Sequence, residues 1–220
     1  LEERWLFEAI TETYLPLLQR LERLASDGVP CRLAMSFSPT VMTMLSDCVL
    51  QERYVGHLER LIELTEREIQ RTRWLPPFQR LALFYHHRFS EARRVYVEGL
   101  RRQMLSGYRA LSDGGILEPL ATCATHGFLP LMAGQREAAR AQIHLGVRAC
   151  AETFGRPPQG FWLPECGYVP GCEALLKAEF GVDVTRAGYV AGHSLGEYSA
   201  LCGAGAISLA DTARLLKLRG

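Results

Sequence analysis

Gly160-Phe161-Trp162-Leu163-Pro164-Glu165-Cys166-Gly167-Tyr168-Val169-Pro170-Gly171 is the stretch on which the fold turns. A short apolar run, Phe161 to Leu163, stops at a proline and is followed at once by a carboxylate, a glycine and a tyrosine. Gly160 to Pro164 therefore reads as a buried strand, and Gly171 to Phe180 has the spacing of a helix. The same alternation stands upstream. After Asp113-Gly114-Gly115, residues Ile116 to Cys123 are strand-like and lead into Thr125-His126-Gly127-Phe128-Leu129-Pro130. A helix from about Gln135 to Phe154 follows, with Ala138, Ile143, Val147 and Cys150 expected inward, and Gly155-Arg156-Pro157-Pro158 stops it. Strand, helix, strand, helix in order argues for an α/β architecture around a parallel sheet, open or closed into a barrel.

Further toward the N-terminus, apolar residues recur at helical spacing from Trp5 to Leu24 (Leu6, Ile10, Tyr14, Leu17, Leu18, Leu21, Leu24), and Ser26-Asp27-Gly28 ends the run. Pro30 to Ser38 reads as a strand covered on both faces and closed by Pro39. From about Thr40 to Leu111 the chain is arginine-rich and helically periodic, interrupted at Trp74-Leu75-Pro76-Pro77, so two or more helices with a break at the prolines are expected.

Composition narrows the function classes. The 220 residues are 48% apolar and 22% charged, and 25 basic against 24 acidic side chains leave a net charge of +1, with Lys177 and Lys217 the only lysines. Such a balance supplies no field to draw in nucleic acid or an anionic membrane, and neither is expected as a partner. Uncharged stretches such as Pro119 to Gln135 are broken by Pro, Gly and His and fall short of the roughly 20 apolar residues of a membrane span. LEERWLFEAI has no basic flank before an apolar run, unlike a secretory signal, and the absent initiator Met suggests a processed or truncated start. Seven scattered cysteines without a CxxC pair suit a reduced cytoplasmic protein better than a disulfide scaffold or a zinc site. No metal or other cofactor is expected.

Glu165 should emerge at the C-terminal end of its strand, where barrels and open α/β sheets place their chemistry. A carboxylate flanked by Trp162 and Tyr168 is the environment of a sugar site, in which aromatic faces stack on pyranose rings while the carboxylate attacks the anomeric carbon. The bland alternative is a strand-end Glu that caps the next helix or pairs with an arginine. His126, which also follows an expected strand, either faces the same pocket or bonds loop backbone. Two weaker features read as surface: His86-His87 beside Arg88, and the arginines at 93, 94, 101 and 102, which alternate with apolar residues and Glu91 and Glu98 on a solvated helix face.

GFWLPECGYVPG resembles the nucleophile motif of glycoside hydrolase family 57, most closely its 1,4-α-glucan branching enzymes. WLFEAITETYLPLLQRLERL resembles the first helix of that family and LATCATHGFLPLM its third-strand region, so the likeness is collinear over about residues 1–182. The resemblance implies a seven-fold (β/α) barrel and a retaining reaction with Glu165 as nucleophile, in which a second glucan chain resolves the glycosyl-enzyme into an α-1,6 branch. A second carboxylate about 5 Å away would serve as acid and base. In the family that partner is an Asp in a Tyr-Asp…Glu-Leu-Phe-Gly-His-Trp stretch, which Asp183 and Asp211 do not match, and the opening His-x-His motif has no counterpart. Strands near 32–37, 117–123, 160–163 and 188–191 are too few to close a barrel. The expected fold is thus α/β, an incomplete (β/α) barrel of the family 57 type with a helical insertion at about 40–111 that packs apart from the sheet, followed by a strand-elbow-helix segment.

Composition shifts near residues 181–187, and 13 of the last 34 residues are Gly or Ala, which suggests a boundary. Gly192-His193-Ser194-Leu195-Gly196 fits G-x-S-x-G after apolar Tyr189-Val190-Ala191 and before a helix-compatible Glu197 to Cys202, the setting of a nucleophile elbow with the Leu195 N–H aimed at an oxyanion. A bare G-x-S-x-G also occurs in many ordinary loops. The segment from Tyr189 to Gly220 resembles malonyl-CoA:acyl carrier protein transacylases, which implies acylation at Ser194 and binding of the malonyl carboxylate by Arg219. Neither the Gly-Gln-Gly oxyanion loop nor the downstream histidine of that family has a counterpart. The expectation is a composite chain: residues 1–182 a partial family 57 catalytic domain acting on α-glucan (amylose, glycogen), and 183–220 an acyltransferase-like elbow. The alternatives are a malonyl-CoA:acyl carrier protein acyltransferase and an inactive fragment.

Overall fold

The computed structural model describes residues 2–169, 171–181, 200–201 and 205–219, with only the backbone of Glu2, Leu209, Leu216, Leu218 and Arg219. The chain is a helix-rich α/β protein with a small sheet, and it forms two compact units, Leu1–Leu33 with Met42–Leu117, and Ala34–Val41 with Glu118–Gly220. The strand expected near 188–191 and the elbow carrying Ser194 and Leu195 lie outside the described residues.

The first unit is helical. Helix α1 (Glu2–Ala9) passes through a π turn (Ile10–Tyr14) into α2 (Leu15–Ser26). In the wide turn Leu15 N–H reaches Ile10 O, five residues back, so one extra residue enters the turn and the inward face moves by one. Leu15 is consequently buried where Tyr14 was expected, and Tyr14 is half-buried with its carbonyl accepting from Tyr108 Oη at 2.9 Å. Pro16 sits just beyond this turn, and its ring crowds the preceding turn of any tight α-helix, which favours the widening.

Helix α3 (Pro39–Ser46) crosses from one unit to the other. Asp47 caps α4 (Cys48–Arg71) by accepting from Leu50 N–H at 2.9 Å. The expected break at the prolines is present: Pro76 opens α5 (Pro76–Arg94), and α4 and α5 form a helical hairpin. A second π turn (Val95–Gly99) leads to α6 (Met104–Asp113). Phe7, Leu18, Tyr54, Leu58, Tyr96 and Tyr108 form the centre of this core, where Tyr54 Oη meets Thr11 Oγ1 at 3.0 Å. His86 is not a surface residue: it is half-buried on α5 with Nδ1 3.2 Å from Thr65 Oγ1 on α4, while His87 is exposed, because adjacent helical positions face different directions. Arg93 and Arg94 on α5 pair with Glu59 and Glu91, as a solvated helix face requires. Arg101 and Arg102, expected on the same face, instead stand in the turn beyond the second π turn at φ 50° and 66°, where Arg102 pairs with Glu52.

The second unit carries the sheet, in the order β1 (Leu33–Ser36), β2 (Leu117–Thr122), β3 (Gly160–Trp162). Strands β2 and β3 run parallel with Leu120 opposite Gly160 and Thr122 opposite Trp162. Strand β1, expected to be covered on both faces, is largely exposed and its burial begins only at Phe37, whose ring stands 5.3 Å from that of Phe154. Its apolar run reads as buried, but at the sheet edge Leu33 and Ala34 are exposed, Met35 is half-buried and Phe37 just beyond the strand is the first of the run to be buried. Helix α7 (Arg136–Phe154) follows β2, and α8 (Cys172–Phe180) follows β3. In α7 the inward residue is Ala139 and not Ala138, which is exposed; Ala139, Ile143, Gly146 and Cys150 recur at three and four residues, whereas 138 lies five from 143 and so about 140° away. Cys123, Leu129, Ala139, Ile143, Cys172 and Leu176 pack together, with Phe161 and Leu163 against them. A short helix α9 (Leu209–Arg219) completes the described residues. None of the described helices is long and apolar enough to cross a membrane.

Candidate functional site

Parallel pairing of β2 and β3 brings the residues that leave their C-terminal ends to one edge of the sheet. The ends are tied together: Thr122 Oγ1 donates to the Trp162 carbonyl at 2.8 Å. Beyond β2 the chain runs through Thr125, His126 and Phe128; beyond β3 it enters a short 3-10 turn, Pro164–Cys166. Glu165 lies in that turn with φ 53° and ψ 24°, Cys166 follows at φ 53°, and His126 faces them at φ 55°. Three non-glycine residues in the left-handed region within two facing loops are a concentration of backbone strain, of order 1–3 kcal/mol each, of the kind that functional sites hold in place by surrounding contacts.

The strain aims the side chains at each other. With its proton on Nε2, His126 donates to Glu165 Oε1 across 3.3 Å, and the two side chains remain 47% and 74% exposed. Glu165 is therefore paired with a histidine in reach of solvent, at the strand end where the sequence placed it. Gly167 makes the approach of the two loops possible: a Cβ there would overlap the Phe128 ring, with Cδ2 at 2.8 Å.

The two aromatic candidates are disposed differently. Phe161 and Leu163 pack toward α7 and α8, so the alternation of β3 puts the half-buried Trp162 side chain on the opposite face. Tyr168 is held by its hydroxyl, which donates to Glu173 Oε2 at 2.9 Å, and the same oxygen accepts from Gly171 N–H at 2.9 Å. The Glu173 carboxyl is kept below the ordinary carboxylate range, first by its own backbone N–H and then by Tyr168 and Gly171, against an opposing effect of burial. Sequence reasoning passed over Glu173, although an acid in the first turn of a helix directly after the motif is a recognisable capping signal. Beside this loop, a pocket of about 250 Å³ is lined by Leu129, Met132, Arg136, Val169, Cys172 and Leu175, and Glu165 stands outside that lining. Among the described residues no group of three or more His, Cys, Asp or Glu is placed to hold a metal ion. Arg219 ends α9, and Ser194 and Leu195 lie outside the described residues.

Comparison with known proteins bears on this geometry. The profile of glycosyl hydrolase family 57 matches residues 1–202. A 1,4-alpha-glucan branching enzyme of Thermococcus kodakarensis is 34% identical over 186 residues, which are 84% of this chain and 26% of that protein. The crystal structure of the alpha-amylase AmyC of Thermotoga maritima superposes with a TM-score of 0.76 at 40% identity, over 81% of this chain and 34% of that one. The GH57-type branching enzyme of Pyrococcus horikoshii superposes with a TM-score of 0.73 at 36% identity, over 76% of this chain and 31% of that one. The chain thus spans about a quarter to a third of the length of these relatives. With the profile match extending over most of its length, the chain belongs to glycosyl hydrolase family 57.

Proposed function

We propose that this chain carries the nucleophile half of a retaining α-glucan transglycosylation site that makes α-1,6 branches in amylose- or glycogen-like polymers. The observation that carries the reading is the Glu165 carboxylate, solvent-accessible at the C-terminal end of β3 and met by His126 at 3.3 Å, in a chain of family 57. In the reaction a Glu165 oxygen bonds the anomeric carbon as the α-1,4 bond to the leaving glucan breaks, and the leaving oxygen takes a proton from a carboxylic acid. The 6-hydroxyl of an acceptor glucan then displaces Glu165, its proton returning to that acid. His126 steadies the carboxylate and hydrogen-bonds sugar hydroxyls, and Trp162 and Tyr168 supply apolar ring faces. The fold of this reading is an incomplete (β/α) barrel, with the acid supplied from beyond β1 to β3.

A nucleophile without its acid loses several powers of ten in rate, so the chain alone should give no branching above background by iodine spectrum of amylose. The deciding comparison is Glu165→Gln against Ser194→Ala, each assayed with amylose and, by intact mass, with malonyl-CoA. Whatever residual glucan chemistry the assay detects should track Glu165, being lost in Glu165→Gln and unaffected by Ser194→Ala. Branching that survives Glu165→Gln rejects the assignment, and malonyl transfer lost in Ser194→Ala makes the Ser194–Arg219 acyltransferase reading the better one.

A further inference from the structure

Helix α7 reaches the site through a residue that touches neither Glu165 nor the sheet edge directly. Gln142 binds the two residues before His126 with three hydrogen bonds. Its backbone carbonyl accepts from Ala124 N–H at 2.9 Å, its Oε1 accepts from Thr125 N–H at 2.9 Å, and its Nε2 donates to Thr125 Oγ1 at 2.8 Å. The side-chain amide is thereby used as donor and acceptor on one residue, an arrangement that fixes both position and rotation of the peptide it grips. The position of Gln142 follows from the helix. Gly146, one turn further on the same face, lacks the Cβ that would overlap the Thr122 carbonyl, so α7 lies close against the end of β2 and Gln142 is delivered to the loop that leaves it. Gly127 completes the grip, since a Cβ there would lie 3.1 Å from Gln142 Cδ and 2.7 Å from Met132 Cε.

Between these contacts the chain has little freedom. His126 N–H is bonded to Cys123 O at 3.2 Å, and the residue is held at φ 55°, a conformation a free loop would relax. We propose that Gln142 is a positioning residue that sets the His126 imidazole opposite the Glu165 carboxylate. The inference rests on reading His126 and Glu165 as the site pair, yet it concerns their geometry and needs no substrate to be tested.

The test is the ¹⁵N imidazole NMR spectrum of the folded chain, with the His126 signals identified by their loss in His126→Gln. In the wild-type chain Glu165→Gln should displace the His126 Nε2 resonance. In Gln142→Leu the same substitution should displace it by roughly half as much or less, the loss of coupling a double-mutant cycle reads. Gln142→Glu keeps an oxygen for Thr125 N–H and lets the Thr125 hydroxyl donate, so it should restore most of the displacement. Should Gln142→Leu fail to fold, exposed Thr125→Ala removes one of the three bonds without touching the core and should give a partial loss. Equal displacement in wild type and in the Gln142 or Thr125 variant that folds overturns the proposal, and so does a wild-type resonance indifferent to Glu165→Gln. Intact coupling together with glucan chemistry that ignores Glu165 would remove the proposed function and leave the positioning role standing.

Discussion

At the scale of single residues, two glycines decide how closely the loops of the site approach. A methyl group on Gly146 meets the Thr122 carbonyl, which belongs to a paired strand and cannot swing away. One on Gly167 meets the Phe128 ring, which can rotate at some cost. Gly167→Ala is therefore expected to destabilise by about 1–3 kcal/mol, the usual range for overpacking, and to separate His126 from Glu165. Gly146→Ala should cost more, because α7 itself has to move. Urea midpoints of the two variants check the order, and Gly146→Ala being the milder of the two would contradict it. Glu165 itself was legible in the sequence, since an acid after a short apolar run and a proline has few other places to go. Gln142 was not, because a polar residue in a helix carries no mark of which loop it will meet.

At the scale of elements, α8 is fastened to α7 by one carboxylate. Glu179 accepts from Arg140 Nε and lies 3.2 Å from His144 Nδ1, with only 9% of its side chain exposed. The Arg140 hydrogen bond is the main cause holding the Glu179 carboxyl below its ordinary value of 4.5, and burial opposes it. A depressed folded pKa contributes stability that is present above the unfolded value and lost as pH falls through the folded one. Glu179→Gln should therefore flatten the acid limb of the stability curve below pH 4.5. Urea midpoints taken from about pH 3 to 7 test this, and an acid limb as steep as wild type would show that the clamp adds nothing. The helix ends marked by proline and glycine, at Gly28, Pro76 and Gly155, were readable in the sequence, whereas the breaks at Asp47 and at residues 100–103 inside the long arginine-rich stretch were not. The π turn at Ile10–Tyr14 was not, since a wide turn inserts its extra residue without any change in composition.

At the scale of the whole molecule, thiol chemistry reports the core of the second unit. Burial pushes the Cys123 thiol up to about 12, and Cys150 and Cys172 each to about 11, whereas Cys48 is exposed and Cys31 and Cys166 are half-buried. Only the thiolate attacks a disulfide or maleimide reagent, so Cys48, Cys31 and Cys166 should label in the native protein. Cys123, Cys150 and Cys172 should label only after denaturation, which peptide mapping by mass spectrometry can follow. Fast native labelling at Cys150 or Cys172 would mean that the helices of the second unit do not close as described.

The sequence by itself determined the helices α1–α2, α7 and α8, the strands β1 to β3, the break at Pro76, and that a carboxylate would stand at the end of β3. These are local properties, set by periodicity, by proline and glycine, and by the short range over which a turn forms. Tertiary structure alone decided that His126 meets Glu165 and that β1 is an exposed edge. It also decided that Gln142 grips the loop before His126. Each of these depends on a neighbour far away in the chain, and the free energy of meeting it comes from pairing and close packing between elements, which no single stretch of residues contains.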